Sequence, residues 1–425
     1  MPVGIGLDFG TTNSAVALAR DAAAPAALTF GAEAGIGDTW RSILYFEPGV
    51  PAVTGPTAIA RYLAAGEKGR LVQSLKSFLA SRLFTSTSVF GRSYTVEDLV
   101  AILLRDLREE AERQIGPIEG TVVVGRPVHF SSADTEDDNA FAVARFEKAL
   151  ARAGFGPVRF EYEPVAAARF YEETLDHDEL ILIGDFGGGT SDFSLLRVGP
   201  TSRRESDASG RILANDGVAV AGDAFDGRIV RNLVSPALGR DTAYRSLDKM
   251  LPMPVWVYSE LERWHYLSFL KSPRTLEMLR SIEARSETPG RIAALLHLIE
   301  EDLGFYLHQA VQATKAALSS SSEARFLFED FEIRVDSGVR REDFERWIAG
   351  DLAKIRGCID RVMAAAGVPD SGIDHVFLTG GSSLVPSVRG LFERRFGNAR
   401  ISTGSEFTSV AKGLASTARD LAGNK

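Results

Sequence analysis

The stretch LDFGTTNSAVAL, residues 7–18, places an aspartate, a glycine and two threonines between two apolar runs. The apolar runs, residues 3–7 and 15–18, predict a β-hairpin around a polar turn rather than a strand that leads into a helix. Asp and Gly are also common in ordinary hairpin turns, so one copy of the motif does not by itself indicate a function.

The same motif occurs a second time. DFGTTNSAVAL begins at Asp8 and DFGGGTSDFSL begins at Asp185, with Asp, Phe, Gly and one serine in common and apolar alternation after both. Two copies in one chain predict two related halves, each with a strand–acidic loop–strand hairpin. Helical and strand patterns alternate along the rest of the chain, which predicts an α/β fold.

The chemistry of both loops suits a nucleotide polyphosphate. Glycine lets backbone amides approach phosphate oxygens because no Cβ intervenes, and Thr11, Thr12 and Thr190 can donate hydroxyl hydrogen bonds. Aspartates beside phosphates are repulsive unless a hard cation lies between them. Mg²⁺ is often held through one or two carboxylates together with phosphates. Asp8 and Asp185 are therefore predicted partners of the metal.

Composition and missing motifs exclude several other classes. The sequence contains no P-loop, no dinucleotide-binding G-x-G-x-x-G that opens a helix, and no H-E-x-x-H. Its single cysteine, Cys358, is expected to be a small core residue on a helix. The net charge of −9 disfavours nonspecific nucleic-acid binding. No apolar run has the length of a membrane helix, and no secretory signal is evident. We therefore expect a cytoplasmic protein without nucleic-acid or membrane partners.

Periodicity and turn residues predict individual elements. They are a helical stretch over 57–83 broken near Gly66 and Gly69, a helix over 96–115 capped by Thr95, a strand over 121–127, a helix over 140–155, a strand over 180–186, a largely helical region over 228–318, a helix end at 319–322, and a strand–turn–helix over 374–396.

Three motifs together resemble a known family. GLDFGTTNS, GDFGGGTSDFSLL and FLTGGSSLVP are similar to the nucleotide-binding signatures of the DnaK-type heat-shock ATPases, members of the actin and sugar-kinase superfamily. The resemblance implies a duplicated, actin-like (ribonuclease-H-like) fold with nucleotide between two lobes. Lobe I would span residues 1–178, completed by 403–425, and lobe II would span 179–402. The chain most resembles the short YegD-like members, so no peptide-binding domain is expected.

The resemblance implies roles for further residues. Lys76, in LVQSLKSFLAS, matches a catalytic lysine that orients the attacking water and the γ-phosphate. Glu163, in FEYEPVAAARFYEE, matches a glutamate that reaches Mg²⁺ and its water shell, and Pro127 matches a proline that couples the site to lobe rotation. The predicted catalytic residues are Lys76, Glu163, Asp185 and Thr190, and the predicted metal partners are Asp8, Glu163 and Asp185.

ATP or ADP, with Mg²⁺, is the ligand that the resemblance implies. Gly222 and Asp223 match a hinge segment of the second lobe, and Lys315 and Ser319 match positions that bracket the adenosine. The predicted nucleotide contacts are Gly10, Thr11, Thr12, Asn13, Gly187, Gly188, Gly189, Thr190, Gly222, Asp223, Lys315, Ser319, Gly380, Gly381 and Ser382.

The predicted adenine site departs from the family pattern. Leu384 stands where an arginine usually stacks on the base, Ala316 stands where an arginine usually follows the lysine, and Gln312 replaces a glutamate. Each missing planar cation could supply about 0.5–2 kcal/mol of stacking or cation–π energy. The phosphate and metal residues, by contrast, follow the pattern.

The leading prediction is a slow, Mg²⁺-dependent ATPase that works as a chaperone-like nucleotide switch through lobe closure. One alternative is a small-molecule, sugar-type kinase that uses Asp192 as its base. Others are a non-catalytic nucleotide-binding scaffold or filament and a degenerate nucleotide binder. Region 228–318 is predicted to be either an enlarged core or a protein-partner surface because it is rich in aromatics: Trp256, Tyr258, Trp264, Tyr266 and Phe269.

Overall fold

The computed structural model describes residues 3–21, 23–32, 35–65, 69–131, 133, 135–172, 175–202, 211–263, 270–331, 333–403 and 408–423. The strands are β1 (Val3–Asp8), β2 (Asn13–Arg20), β3 (Ala26–Ala27), β4 (Phe30–Ala32), β5 (Gly35–Gly37), β6 (Trp40–Arg41), β7 (Ile43–Phe46), β8 (Val53–Thr54), β9 (Arg70–Gln73), β10 (Ser86–Val89), β11 (Arg92–Thr95), β12 (Val122–Arg126), β13 (Val158–Tyr162), β14 (Glu179–Phe186), β15 (Ser191–Val198), β16 (Ile212–Val218), β17 (Ala243–Ser246), β18 (Lys249–Pro252), β19 (Glu323–Asp330), β20 (Ile333–Arg340), β21 (His375–Thr379) and β22 (Ile401–Thr403).

The α-helices are α1 (Gly55–Ala65), α2 (Val96–Ile115), α3 (Glu136–Arg152), α4 (Glu163–Glu172), α5 (Gly222–Ile229), α6 (Ser235–Ala237), α7 (Val255–Leu261), α8 (Pro273–Glu283), α9 (Pro289–Glu300), α10 (Gly304–Ser320), α11 (Arg341–Ala366), α12 (Pro386–Phe396) and α13 (Ser409–Gly423). Short 3₁₀ turns lie at Leu75–Phe78, Asp370–Gly372, Gly381–Leu384 and Asn398–Arg400, and a π-helical turn lies at Val230–Val234. None of the helices in these described ranges has both the length and the apolar character that crossing a membrane requires.

The chain divides into two compact units. Unit 1 comprises Met1–Ala219, Ile355–Ser383 and Val388–Lys425, and unit 2 comprises Val220–Lys354 and Leu384–Ser387. The boundaries of the two predicted lobes remain a prediction.

Two sheets of unit 1 repeat one topology. The first has the strand order β3-β2-β1-β12-β13, with β6 also paired to β2, and the second has the order β16-β15-β14-β21-β22. In the first sheet β1 and β2 form an antiparallel hairpin, and β12 and β13 run parallel to β1. In the second sheet β14 and β15 form an antiparallel hairpin, and β21 and β22 run parallel to β14. The predicted pair of hairpins, at residues 7–18 and 185–195, is thus confirmed as the centre of two equivalent sheets.

Helix α13 packs against β1 of the first sheet with almost no side-chain spacing. Beside it, a small-residue cluster joins α13 to the neighbouring strand β2: Ala15, Ala17 and Ala19 of β2 with Ala411 and Ala415 of α13. A Cβ added at Gly6 would clash with the backbone of α13, and one added at Gly413 would clash with the carbonyl of Ala166 in α4. Glycine is therefore required where α13 crosses the strand and the neighbouring helix.

Helix α2 forms as the sequence predicts. It spans Val96–Ile115, and the Thr95 hydroxyl accepts a hydrogen bond from the Asp98 amide while the Asp98 carboxylate accepts one from the Thr95 amide. This reciprocal capping satisfies two amides that the first helical turn would otherwise leave without partners. Cys358 is buried in α11 as predicted, and burial raises the pKa of its thiol to about 12.

The helical stretch predicted over 57–83 is wrong in its second half. After α1 the chain forms strand β9, which pairs with β7 in the register Ile43↔Gln73. Ser74 follows with a left-handed φ of 57°, a backbone conformation that no helix interior adopts. Lys76 therefore lies on a 3₁₀ turn and not on an α-helix, because long-range strand pairing overrides the local periodicity.

Region 228–318 is largely helical as predicted, but it also contains the β17–β18 hairpin. Tyr258 is buried, and its hydroxyl donates to the Leu238 carbonyl at 2.9 Å, whereas Trp256 is exposed. The other three aromatics, Trp264, Tyr266 and Phe269, lie outside the described residues. The core and the partner-surface interpretations of this region therefore both stay open.

Acid is expected to weaken the contact between α2 and α3. The Glu97 carboxylate accepts hydrogen bonds from Arg145 at 3.1 and 3.3 Å. Burial alone would raise the pKa of Glu97, but the hydrogen bonds and charge of Arg145 lower it below its ordinary 4.5. A lowered carboxyl pKa stabilises the fold above the unfolded pKa, and this stabilisation disappears as pH falls through the folded pKa. Urea unfolding of the wild type and of Glu97→Gln should therefore differ at neutral pH and converge below 4.5; a constant difference across the acidic range would contradict this account.

Candidate functional site

The two hairpin turns of unit 1 carry most of the predicted phosphate contacts. Asp8 ends β1, Gly10, Thr11 and Thr12 form the turn, and Asn13 begins β2. A Cβ on Gly10 would clash with the Asn13 carbonyl, so this turn requires glycine.

The second turn is built alike. Asp185 lies near the end of β14, and Gly187, Gly188, Gly189 and Thr190 connect it to β15. The Gly187 amide donates to the Thr190 carbonyl at 2.9 Å, which closes the turn. Both turns therefore follow the leading strand of equivalent sheets and present half-buried or exposed glycines and half-buried hydroxyls.

The structure brings Lys76 and Glu163 into contact although 87 positions separate them in the chain. Lys76 Nζ donates to Glu163 Oε1 at 2.7 Å, and their side chains are 11% and 10% exposed. Lys76 comes from the 3₁₀ turn after β9, and Glu163 is the first residue of α4, directly after β13. A buried ammonium with three donors is thus held by one carboxylate at the edge of the first sheet.

Electrostatic coupling joins this pair to the aspartates of both turns. Desolvation and the neighbouring Glu163 raise the pKa of Asp8 to about 8, against the opposing effect of Lys76. Desolvation and Glu163 likewise raise the pKa of Asp185 to about 6. Burial alone would lower the pKa of Lys76, but Glu163, Asp8 and Asp185 raise it above its ordinary value. The lysine therefore stays an ammonium surrounded by carboxylates that repel one another.

Asp192 belongs to the same group, although the sequence alone suggested for it only the role of a kinase base. The Thr190 hydroxyl donates to Asp192 Oδ2 at 2.8 Å, and desolvation together with Asp185 and Glu163 raises the pKa of Asp192 to about 7. The first copy of the repeat gives no sign of this role, because Asp192 corresponds there to the uncharged Ala15.

These carboxylates fit a hydrated magnesium ion better than a directly ligated one. Among the described residues no group of three or more His, Cys, Asp or Glu side chains is placed to hold a metal ion alone. Asp8, Asp185 and Asp192 are nevertheless half-buried; Asp185 repels both other carboxylates, and the ammonium of Lys76 couples to all three. A cation that keeps its waters and takes further ligands from phosphate would relieve this repulsion.

The third motif adjoins the second within unit 1. Gly380 follows β21 with φ of 85°, and a Cβ there would clash with the Phe186 carbonyl. Gly381 and Ser382 begin the 3₁₀ turn Gly381–Leu384. Position 380 requires glycine both for its left-handed backbone and for its close approach to the DFGGGT segment.

The remaining predicted contacts lie in unit 2. Gly222 and Asp223 begin α5, and Lys315 and Ser319 lie on α10. Lys315 Nζ lies 2.7 Å from Asp226 Oδ1 and donates to the Gly222 carbonyl at 3.4 Å. Burial raises the pKa of Asp226 despite the opposing effect of Lys315. Lys315 thus contacts both the carbonyl of Gly222 and the side chain of Asp226, a residue that none of the sequence motifs singled out.

Comparisons with known proteins bear on this arrangement. The sequence matches the family model described as Hsp70 protein over residues 71–244 and 302–425. Two curated relatives, the chaperone proteins DnaK of Thermosipho melanesiensis (strain DSM 12029 / CIP 104789 / BI429) and of Thermosipho africanus (strain TCF52B), are each 22% identical to it over 423 residues. The alignments cover 99% of this chain but only 60% and 59% of the relatives, so the chain spans about 60% of their length.

Proposed function

Because this chain belongs to the Hsp70 family, whose actin-like α/β fold its duplicated sheets match, we propose that it binds ATP with Mg²⁺ and hydrolyses it slowly, as a nucleotide switch. The observation that carries the proposal is the Lys76–Glu163 pair, coupled to Asp8 and Asp185 beside two glycine-lined turns. A single glycine-rich turn occurs in many folds. Here two such turns, suited to bind phosphate, lie beside a buried lysine ammonium, and this combination supports the proposal.

The two turns would bind the phosphates. Backbone amides at Gly10, Gly188 and Gly189, with the hydroxyls of Thr11 and Thr12, offer donors to the phosphate oxygens. Mg²⁺, held through Asp8, Asp185 and Glu163 largely by way of water, would neutralise charge on those oxygens. Phosphoryl transfer depends mainly on such positioning and electrostatic stabilisation.

Lys76 would orient the attacking water. Its ammonium has three donors, and the geometry commits one of them to Glu163, so the others can reach a water and a phosphate oxygen. A charged lysine cannot itself remove a proton from the water. We therefore propose slow turnover, with lobe closure on nucleotide binding as the useful output.

A calorimetric titration tests this function directly. ATP, ADP and GTP would each be titrated into the protein with Mg²⁺ and again with EDTA, while phosphate release is followed in parallel. We expect Mg²⁺-dependent binding of ATP and slow release of phosphate. Binding of none of the three nucleotides would contradict the proposal, and stimulation of ADP formation by one member of a sugar panel would favour the sugar-type kinase.

An arginine at position 384 is expected to tighten ATP binding. Leu384 is 49% exposed, so a guanidinium can be accommodated there without burying its charge. A stacking or cation–π contact of about 0.5–2 kcal/mol corresponds to roughly 2- to 30-fold in Kd. Leu384→Arg would be compared with Leu247→Arg, a change at an exposed leucine in the β17–β18 turn. Equal Kd values for wild type and Leu384→Arg would contradict our account of the adenine site.

A further inference from the structure

The turn that carries Lys76 has little regular structure of its own. Upstream, β9 pairs with β7, and Ser74 adopts its left-handed conformation. The turn itself is a single 3₁₀ segment, closed by the Leu79 amide donating to the Lys76 carbonyl at 3.2 Å. No α-helix or strand follows until β10, so something other than secondary structure must hold the downstream side.

Arg145 of helix α3 occupies that downstream side. Its Nη1 donates to the carbonyls of Phe78, Leu79 and Ser81 at 3.3, 3.3 and 3.0 Å, and its Nη2 donates to the carbonyl of Phe84 at 3.3 Å. One side chain thus binds four carbonyls of the segment 78–84, which begins at the last residue of the Lys76 turn.

The guanidinium is itself firmly held. Its side chain is 7% exposed, and both its Nε and Nη2 donate to the Glu97 carboxylate at the start of α2. Its charge also lies 5.2 Å from the ring centre of Phe141. Helices α2 and α3 therefore fix Arg145, and Arg145 fixes the segment. An arginine that served only a surface ion pair would need neither this burial nor the carbonyl partners.

We propose that Arg145 is a positioning residue for Lys76. By binding four carbonyls of the segment 78–84, Arg145 keeps the 3₁₀ turn in place, and the turn keeps the Lys76 ammonium against Glu163. The expected effect on hydrolysis rests on the proposed function. The contacts that position the turn are independent of that function. Displacement of a reacting group by about 1 Å can cost on the order of 100-fold in rate.

Arg145→Lys is the discriminating variant. Lysine keeps the positive charge opposite Glu97, but its compact ammonium has three donors and cannot span four carbonyls and a carboxylate. Arg152→Lys is the matched control, since Arg152 lies on the same helix and pairs with Asp98 at 2.6 Å, but its side chain is 38% exposed. Thermal unfolding of both variants checks that the fold is retained, and Glu97→Gln supplies a milder loosening if Arg145→Lys does not fold.

The first readout compares the effect on kcat with the effect on nucleotide affinity. For Arg145→Lys we expect kcat for ATP to fall by about 10- to 100-fold with little change in nucleotide Kd, because neither hairpin turn is altered. In a Lys76→Ala background the same change should have no further effect, since the two residues act through one step. Unchanged kcat, or effects that multiply in the double variant, would overturn the proposal.

A second readout does not depend on hydrolysis. Acetylation of Lys76 by limiting acetic anhydride, quantified by mass spectrometry, reports how tightly the ammonium is held against Glu163. Labelling should be faster in Arg145→Lys than in wild type and unchanged in Arg152→Lys. Faster labelling in a protein that hydrolyses no ATP would refute the proposed function and keep the positioning role; equal labelling in wild type and Arg145→Lys would refute the positioning role alone.

Discussion

Replacing Lys76 by alanine is expected to lower the rate of ATP hydrolysis by about 100- to 1000-fold, the range that loss of one preorganised donor at a reaction centre produces. The change removes the ammonium that lies 2.7 Å from Glu163 and opposes the repulsion among Asp8, Asp185 and Glu163. The two glycine-lined turns that we propose to bind phosphate are not altered, so nucleotide binding should be affected much less than hydrolysis. Phosphate release in single-turnover experiments at saturating ATP measures the effect.

Lys148→Ala is the control for this experiment. Lys148 lies on α3 and is exposed, so its loss should leave hydrolysis unchanged. Because Lys76→Ala leaves Glu163 buried without its cation, some loss of stability is also expected, and hydrolysis must be measured where both variants are folded. Wild-type hydrolysis in Lys76→Ala would mean that Lys76 has no catalytic part.

The second large effect concerns stability. Gly413→Ala is expected to destabilise unit 1 by about 1–3 kcal/mol, the cost of forcing extra atoms into a packed interior. The added methyl would clash with the Ala166 carbonyl, and rigid backbone cannot yield as a flexible side chain does. Helix α13 would have to move away from α4 and from the alanines of β2 that pack against it. Urea denaturation measures the change in free energy of unfolding.

Gly350→Ala is the same chemical change, but it is expected to raise the free energy of unfolding. Gly350 is exposed within α11, and apart from its neighbouring residues and the adjacent backbone of its own helix no atom lies within 4 Å of the position that its Cβ would take. Alanine should therefore stabilise the protein there by about 0.5–1 kcal/mol through its better helix propensity. Equal responses at positions 413 and 350 would show that α13 does not depend on this close contact.

Local features of the fold were predictable because their causes are local. Thr95 and Asp98 cap α2 through contacts three residues apart, and both hairpins follow from apolar alternation around a short turn. The repeated DFG stretches predicted two related halves, each with one hairpin, and the structure places these hairpins in two equivalent sheets. The third motif was predictable for the same reason: its strand, turn and helix succeed one another without interruption.

Contacts between distant parts of the chain were not predictable in this way. The periodicity around Lys76 suggested a helix, but pairing of β9 with β7 made that segment a strand and a 3₁₀ turn. Asp192 had no charged counterpart in the first motif, and Asp226 forms an ion pair with Lys315, which lies on another helix. In each case the energy comes from a partner that no short window of sequence contains.

The sequence by itself thus determined the α/β class, the duplicated hairpins and the glycine and hydroxyl residues of their turns, because each depends on neighbours within a few positions. Only the tertiary structure decided which charges share one desolvated space and which side chain holds the Lys76 turn. Arg145 stands more than 60 residues from the carbonyls that it binds. Desolvation, mutual repulsion and hydrogen bonds to distant backbone arise only when the folded chain brings such groups together.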